Sequence, residues 1–239
     1  MVRDILGQEK YLYKYKYMPY YNDDSINLNL LFLHIPKTGG TSVEQYFSNK
    51  FNILLNKKSL FGNIPGYRVS MQHFTYKAII KHKTILEIDT DTTKLSCITI
   101  VRNPYERLIS DLFYLKKIKI NDSQNKVYDV ILKNYLYQKS VNYFDNHTVP
   151  QHLFIIDENN KIIPKLIILR TETLNNDMHK LGYTDFNLKQ NANSSNINYY
   201  NYLNNNSINL INNIYHNDFI LFNYTKLNIA RRNVPMILI

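Results

Sequence analysis

The residues of this 239-residue chain best suited to chemistry are Pro36-Lys37-Thr38-Gly39-Gly40-Thr41-Ser42. An apolar run, Leu30 to Leu33, leads into them, and Val43-Glu44 follows. Strand, glycine turn and helix start together make a receptor for a phosphate. Successive backbone N–H groups point into the turn, and the helix dipole favours negative charge there. Lys37 can bring a full positive charge to the same anion, while Gly39 and Gly40 let the backbone approach it with no Cβ in the way. On its own, such a turn equally suits a plain strand–helix connection with Lys37 in solvent. Two further positions carry reactive side chains. His73 stands ahead of a helical pattern, where a lone histidine is commonly a cap or a surface group. Arg102 stands at a strand end, where alone it reads as an ion pair with Glu106.

The elements that must hold these residues are legible as short apolar runs between turn signals. Leu30 to Leu33 and Cys97 to Val101 read as buried strands. Thr41, with Glu44 three residues later, reads as the cap of the first helix. Pro104 suits the first turn of a helix whose apolar face is Leu108, Leu112 and Leu115, widened by Ile109 and Phe113. Between 119 and 150 a helix centres on VYDVILKNYLYQ. Gln151 to Ile163 reads as a hairpin, Lys165 to Arg170 as a strand, and Thr171 onward as a helix ending near Gly182. A last helix is expected from Asn206 to Tyr224, and no internal repeat is visible.

The order of residues around Lys37 separates two phosphate loops. In the nucleoside triphosphatase P-loop, GxxxxGK[ST], the lysine follows the last glycine. Here it precedes both. HIPKTGGTS closely resembles the 5′-phosphosulfate loop of sulfotransferases that use 3′-phosphoadenosine-5′-phosphosulfate (PAPS), above all the heparan sulfate 2-O-sulfotransferase-like group. About sixty residues on, VRNPYERLIS resembles the same group's 3′-phosphate motif. The resemblance spans most of 28–224 and implies an α/β, three-layer P-loop-like fold with a central, mainly parallel sheet flanked by helices. It implies PAPS as donor and adenosine 3′,5′-bisphosphate as product. Lys37, Thr38, Gly39, Gly40, Thr41 and Ser42 would hold the 5′ end, and Arg102 with Ser110 the 3′-phosphate. A guanidinium is well matched to phosphate oxygens, and a hydroxyl adds a donor. His73, in Gln72-His73-Phe74-Thr75, stands where the family carries its general base, and imidazole suits that task. Asn193 and Ser195 would belong to a loop closing over the nucleotide. Arg170, Glu172 and Leu174 match a further "RxExL" pattern, expected to form a structural ion pair, and His216 to Tyr224 a terminal pattern expected to be packing.

The reaction so implied is an in-line displacement, in which positioning and charge stabilisation do most of the work. Lysine and backbone dipoles supply the positive field, so no metal is assigned. His147 and His152 flank Pro150 at a spacing that suits no metal site. The acceptor is a hydroxyl, expected on a glycan; relatives can form oligomers, but the sequence does not give the oligomeric state. A net charge of +10 fits anionic partners of any kind. The alternatives are a P-loop nucleotide kinase or NTPase and a basic non-enzymatic binder of nucleic acid or acidic glycan. The first lacks the GK[ST] order; the second has only a short Tyr/Lys run at Tyr11 to Tyr17. No specific nucleic-acid partner is expected. Cys97 is the one cysteine, which excludes a disulfide-stapled fold. The chain has no long apolar run and no signal-peptide core, so a cytosol-like location is expected, with a Golgi location only by analogy. The expected organisation is an irregular arm at 1–27, a sulfotransferase domain at 28–224 and a tail at 225–239.

Overall fold

A computed structural model describes residues 20–23, 28–52, 69–84, 95–141, 145–188 and 197–228. Most of the expected arm and tail lie outside these residues, as do Asn193 and Ser195. The fold is α/β, with a sheet of strands β1 (Tyr20–Asp23), β2 (Leu28–Leu33), β3 (Ser96–Val101) and β4 (Leu166–Arg170) in that order. β1 runs antiparallel to β2, whereas β2, β3 and β4 are parallel. The helices are α1 (Gly40–Lys50), α2 (Tyr76–Lys81), α3 (Pro104–Tyr114), α4 (Gln124–Val141), α5 (Leu174–Lys180), α6 (Asn205–Ile214) and α7 (His216–Leu221).

Alternation along the strands divides the core. Leu31, Leu33, Cys97 and Val101 pack on one side with Ile79 of α2, Phe154 and Phe222. Leu30, Phe32, Ile98 and Ile100 pack with Val43 and Phe47 of α1 and with Leu174 and Met178 of α5. Parallel strands covered on both faces read as continuous apolar runs, which is why LLFL and CITIV were legible. The carboxyl ends of β2, β3 and β4 come out at one edge, where open parallel sheets place their ligands. Thr171, just past β4, ties that edge together: its hydroxyl lies 2.7 Å from Thr38 O and 3.2 Å from Val101 O.

Several expectations need correction. The cap of α1 is Gly39, in the left-handed region at φ 92°, and the helix begins at Gly40. Glu44 makes no capping box; its carboxylate binds His34 Nδ1 at 2.9 Å, because a buried partner outcompetes a local one. Gln151–Phe154 is a 3₁₀ turn, and only Ile156 and Ile162 bridge in the expected hairpin. The last helix is two, α6 and α7, broken at Tyr215. Among the described residues Arg170 and Glu172 do not pair directly. Arg170 donates to Phe222 O at 2.6 Å, and Glu172 accepts from Asn103 N–H at 2.8 Å and from the Tyr224 hydroxyl at 3.0 Å.

Gly40 has no room for a side chain. A Cβ there would sit 2.3 Å from His34 Cδ2, and that ring is held by Glu44 and packed edge-on against His73 at 5.2 Å. Gly40→Ala should therefore destabilise the protein by about 1–3 kcal/mol of overpacking, although alanine is otherwise the better helix former by about 1 kcal/mol. Urea unfolding checks this; an unchanged or higher midpoint would show that the ring can move aside.

Candidate functional site

The first turn after β2 is built on two left-handed residues, Lys37 at φ 67° and Gly39 at φ 92°. Thr38 lies between them, buried, its hydroxyl donating to Ile35 O at 2.8 Å. This double reversal feeds directly into α1, with Ser42 N–H bonded to Gly39 O at 3.1 Å. Thr41 is exposed and Ser42 half-buried on the first turn of that helix. Lys37 Nζ rests 3.9 Å from the centre of the Tyr114 ring. Burial lowers the lysine's pKa, nearby Asp111 opposes this, and Arg102 adds a like charge.

The turn after β3 meets the first one. Arg102 Nη1 lies 3.4 Å from Lys37 O and Nη2 3.3 Å from Glu106. Its guanidinium lies over the Tyr199 ring at 5.1 Å, and its buried Nε has no hydrogen-bond partner among the described residues. The Arg102 backbone is clamped by Gln151, whose amide accepts from Arg102 N–H and donates to Arg102 O, both at 2.9 Å. Pro104 occupies the first turn of α3, as the sequence predicts, and Asn103 caps it. Arg107, Ser110 and Tyr114 succeed one another at spacings of three and four, hence along one stripe of α3. Arg107 reaches Pro36 O at 2.9 Å and Tyr114 carries Lys37, so half-buried Ser110 lies on the stripe that faces the first turn.

His73 sits in a 3₁₀ turn, Met71–His73, just before α2. Its ring stands between those of His34 and His147, edge-on to both at 5.2 and 5.1 Å. Nδ1 is 3.0 Å from Asp145 Oδ2, and Nε2 is 3.2 Å from the Gln72 amide nitrogen. With a carboxylate at Nδ1 and an N–H donor at Nε2, these partners assign the proton to Nδ1 and the lone pair to Nε2. Asp145 is itself held at Oδ1 by Ser70 N–H at 2.7 Å and Ser70 Oγ at 2.8 Å. Burial would raise the Asp145 pKa, but the bonds from His73 and Ser70 prevail and lower it. Burial pushes His73 down to about 4, against the opposing bond to Asp145. The imidazole is therefore neutral at physiological pH and able to accept a proton.

Arg102 thus meets the turn that carries Lys37, Thr38, Gly39 and Gly40 at the carboxyl edge of the sheet, and His73 joins them through His34, which packs against Gly40. The sequence did not single out Arg107, Tyr114, Asp145 or Gln151, and it weighed His147 only with His152, as no metal site. Arg107 and Tyr114 lie within or just beyond VRNPYERLIS; the other three lie in an irregular stretch with no periodicity to mark them.

The sulfotransferase family profile matches residues 23–225, most of the chain. The chain belongs to the sulfotransferase family. No curated protein and no solved structure matches it. Family membership supports a transferase of sulfuryl groups, a hydroxyl-bearing acceptor and, by family habit, PAPS as donor. No helix among the described residues is long and apolar enough to cross a membrane.

The state of His73 makes this sulfotransferase acid-sensitive. A histidine whose folded pKa, about 4, lies below its unfolded 6.5 binds fewer protons when folded. Its contribution to stability is intact above pH 6.5 and is lost as pH falls toward 4, by up to about 3 kcal/mol. Unfolding free energies of wild type and His73→Asn across this range should converge as pH drops. Curves that stay parallel would contradict a buried neutral imidazole.

Proposed function

We propose that this sulfotransferase moves the sulfuryl group of PAPS to a hydroxyl, on a carbohydrate, within a three-layer P-loop-like fold of the heparan sulfate 2-O-sulfotransferase-like kind. The observation that carries the reading is the 3.4 Å approach of Arg102 Nη1 to Lys37 O, since a donor with phosphates at both ends needs two cationic turns at one mouth. The 5′-phosphosulfate lies against the turn from Lys37 to Ser42, where N–H groups and the dipole of α1 oppose its charge. Arg102, whose Nε has no hydrogen-bond partner among the described residues, and Ser110 take the 3′-phosphate, with Asn193 and Ser195 closing over the nucleotide.

In the reaction an acceptor oxygen attacks sulfur. The new O–S bond forms as the bond from sulfur to the bridging phosphate oxygen breaks, and the electron pair leaves with adenosine 3′,5′-bisphosphate. Lys37 opposes the charge growing on that oxygen. The hydroxyl proton passes to His73 Nε2, whose Nδ1–H is anchored on Asp145. The acceptor must displace the Gln72 amide from Nε2 to do so. An anionic donor nearby raises the low basicity of the imidazole, because opposite charge favours its protonated form. The residues of this chain supply base and electrophilic support without assigning a metal to the catalytic step.

Lys37→Ala and His73→Ala should each lower turnover by about 10²-fold or more, and Arg102→Ala should chiefly weaken donor binding. The assay is transfer from labelled PAPS onto an array of glycans and peptides. Near-wild-type turnover by His73→Ala with the best acceptor would remove the base. Thermal shifts separate the kinase and nucleic-acid alternatives: adenosine 3′,5′-bisphosphate should stabilise the protein while ATP and an oligonucleotide do not. Stabilisation by ATP alone would overturn the donor.

A further inference from the structure

Beside the mouth, His73, Asp145 and His147 bring one donor atom each to within 4.8 Å of one another. Asp145 Oδ2 is the hub, 3.0 Å from His73 Nδ1 and 3.7 Å from His147 Nε2. The turn that presents them is strained: Asp145 and Asn146 both lie in the left-handed region, at φ 44° and 56°. That double reversal puts residues 145 and 147 on the same side of the chain, and Asn146 locks it by donating to His73 O at 2.7 Å. Two of the three donors are also oriented from behind. Asp111 Oδ1 is 2.5 Å from His147 Nδ1, which leaves the lone pair of that ring on Nε2. Ser70 occupies Asp145 Oδ1, which turns Oδ2 toward both imidazoles. Carboxylate behind histidine is the outer shell that metal-binding imidazoles carry. The Asp145 side chain is 25% exposed, so an ion has a way in.

We propose that His73 Nδ1, Asp145 Oδ2 and His147 Nε2 form a site for a divalent transition ion of the zinc class, and that filling it switches the sulfotransferase off. Two imidazoles and one carboxylate suit zinc, cobalt or nickel; magnesium and calcium prefer oxygen donors. Three protein donors leave a coordination position for water. The inhibitory half rests on the reading of His73 given under Proposed function. An ion on Nδ1 takes that nitrogen's lone pair and releases its proton to solvent. Nε2 in turn takes up one proton from solvent, so the ring stays neutral with no net proton released, and a nitrogen bearing hydrogen cannot accept the acceptor's proton. Loading thus exchanges one tautomer for the other without moving the ring.

The test uses the full chain and Co²⁺ as probe, read by its visible d–d absorption, followed by Zn²⁺ competition and by transfer assays with and without chelator. One Co²⁺ per chain, displaced by Zn²⁺, is expected. Asp145→Asn and His147→Gln should abolish the band, and Asp111→Asn should weaken binding by about 10–100-fold, with thermal unfolding of each variant confirming that it folds. Zn²⁺ should suppress transfer and chelator should restore it. Absence of the band in wild type, or its persistence in the folded His147→Gln variant, overturns the site and leaves the donor reading intact. A band with unimpaired transfer upholds the site and overturns His73 Nε2 as the base.

Discussion

The guanidinium of Arg107 is the contact on which the mouth of this protein depends. Buried in α3, it donates through Nε to Pro36 O at 2.9 Å, through Nη1 to Val149 O at 3.0 Å and through Nη2 to His147 O at 2.8 Å. One side chain thereby joins the turn after β2, helix α3 and the strained turn bearing Asp145 and His147. Left-handed non-glycine residues cost about 1–2 kcal/mol each, and this neighbourhood holds three: Lys37, Asp145 and Asn146. Removing the clasp would leave three carbonyls short of a partner, at about 1–3 kcal/mol each. The two sums are comparable, so the strain persists because the arginine holds both turns at once.

The resting position of Lys37 has a similar logic. Its ammonium lies on Tyr114, and Tyr114 stacks on His147 with ring centres 5.8 Å apart and planes at 10°. A cation on an exposed aromatic face gains about 0.5–1 kcal/mol. A hydrogen bond to a charged oxygen gains about 1.5–3 kcal/mol. An anionic oxygen therefore outcompetes the ring, so the lysine rests where it can turn to an anion. The same burial that lowers its pKa strengthens its attraction for an anion.

How far the sequence revealed all this follows from the range of each interaction. β2, β3 and β4 were legible as apolar runs, whereas β1 lies in the stretch read as an irregular arm, and Pro104 announced the first turn of α3. The turns after β2 and β3 stood out because each is built from one short run of residues. Glu44 misled, since its spacing from Thr41 advertises a cap while its true partner, His34, lies on the preceding strand end. The Gln151 clamp on Arg102 spans 49 residues and the Asp145 bond to His73 spans 72, so no window of sequence contains either. Asp218, expected to serve packing, also holds Gln151 N–H at 2.7 Å and His152 N–H at 2.9 Å, which braces the clamp from below.

The central claim is that two cationic turns grip opposite ends of one nucleotide, and a cycle of binding constants tests it most directly. Isothermal titration would compare adenosine 3′,5′-bisphosphate with its 3′- and 5′-monophosphates, in wild type, Lys37→Ala and Arg102→Ala. The account predicts that Arg102→Ala loses the preference for bisphosphate over 5′-monophosphate, and that Lys37→Ala loses the preference over 3′-monophosphate. Equal losses against both monophosphates in each variant, or no preference for the bisphosphate in wild type, would contradict it.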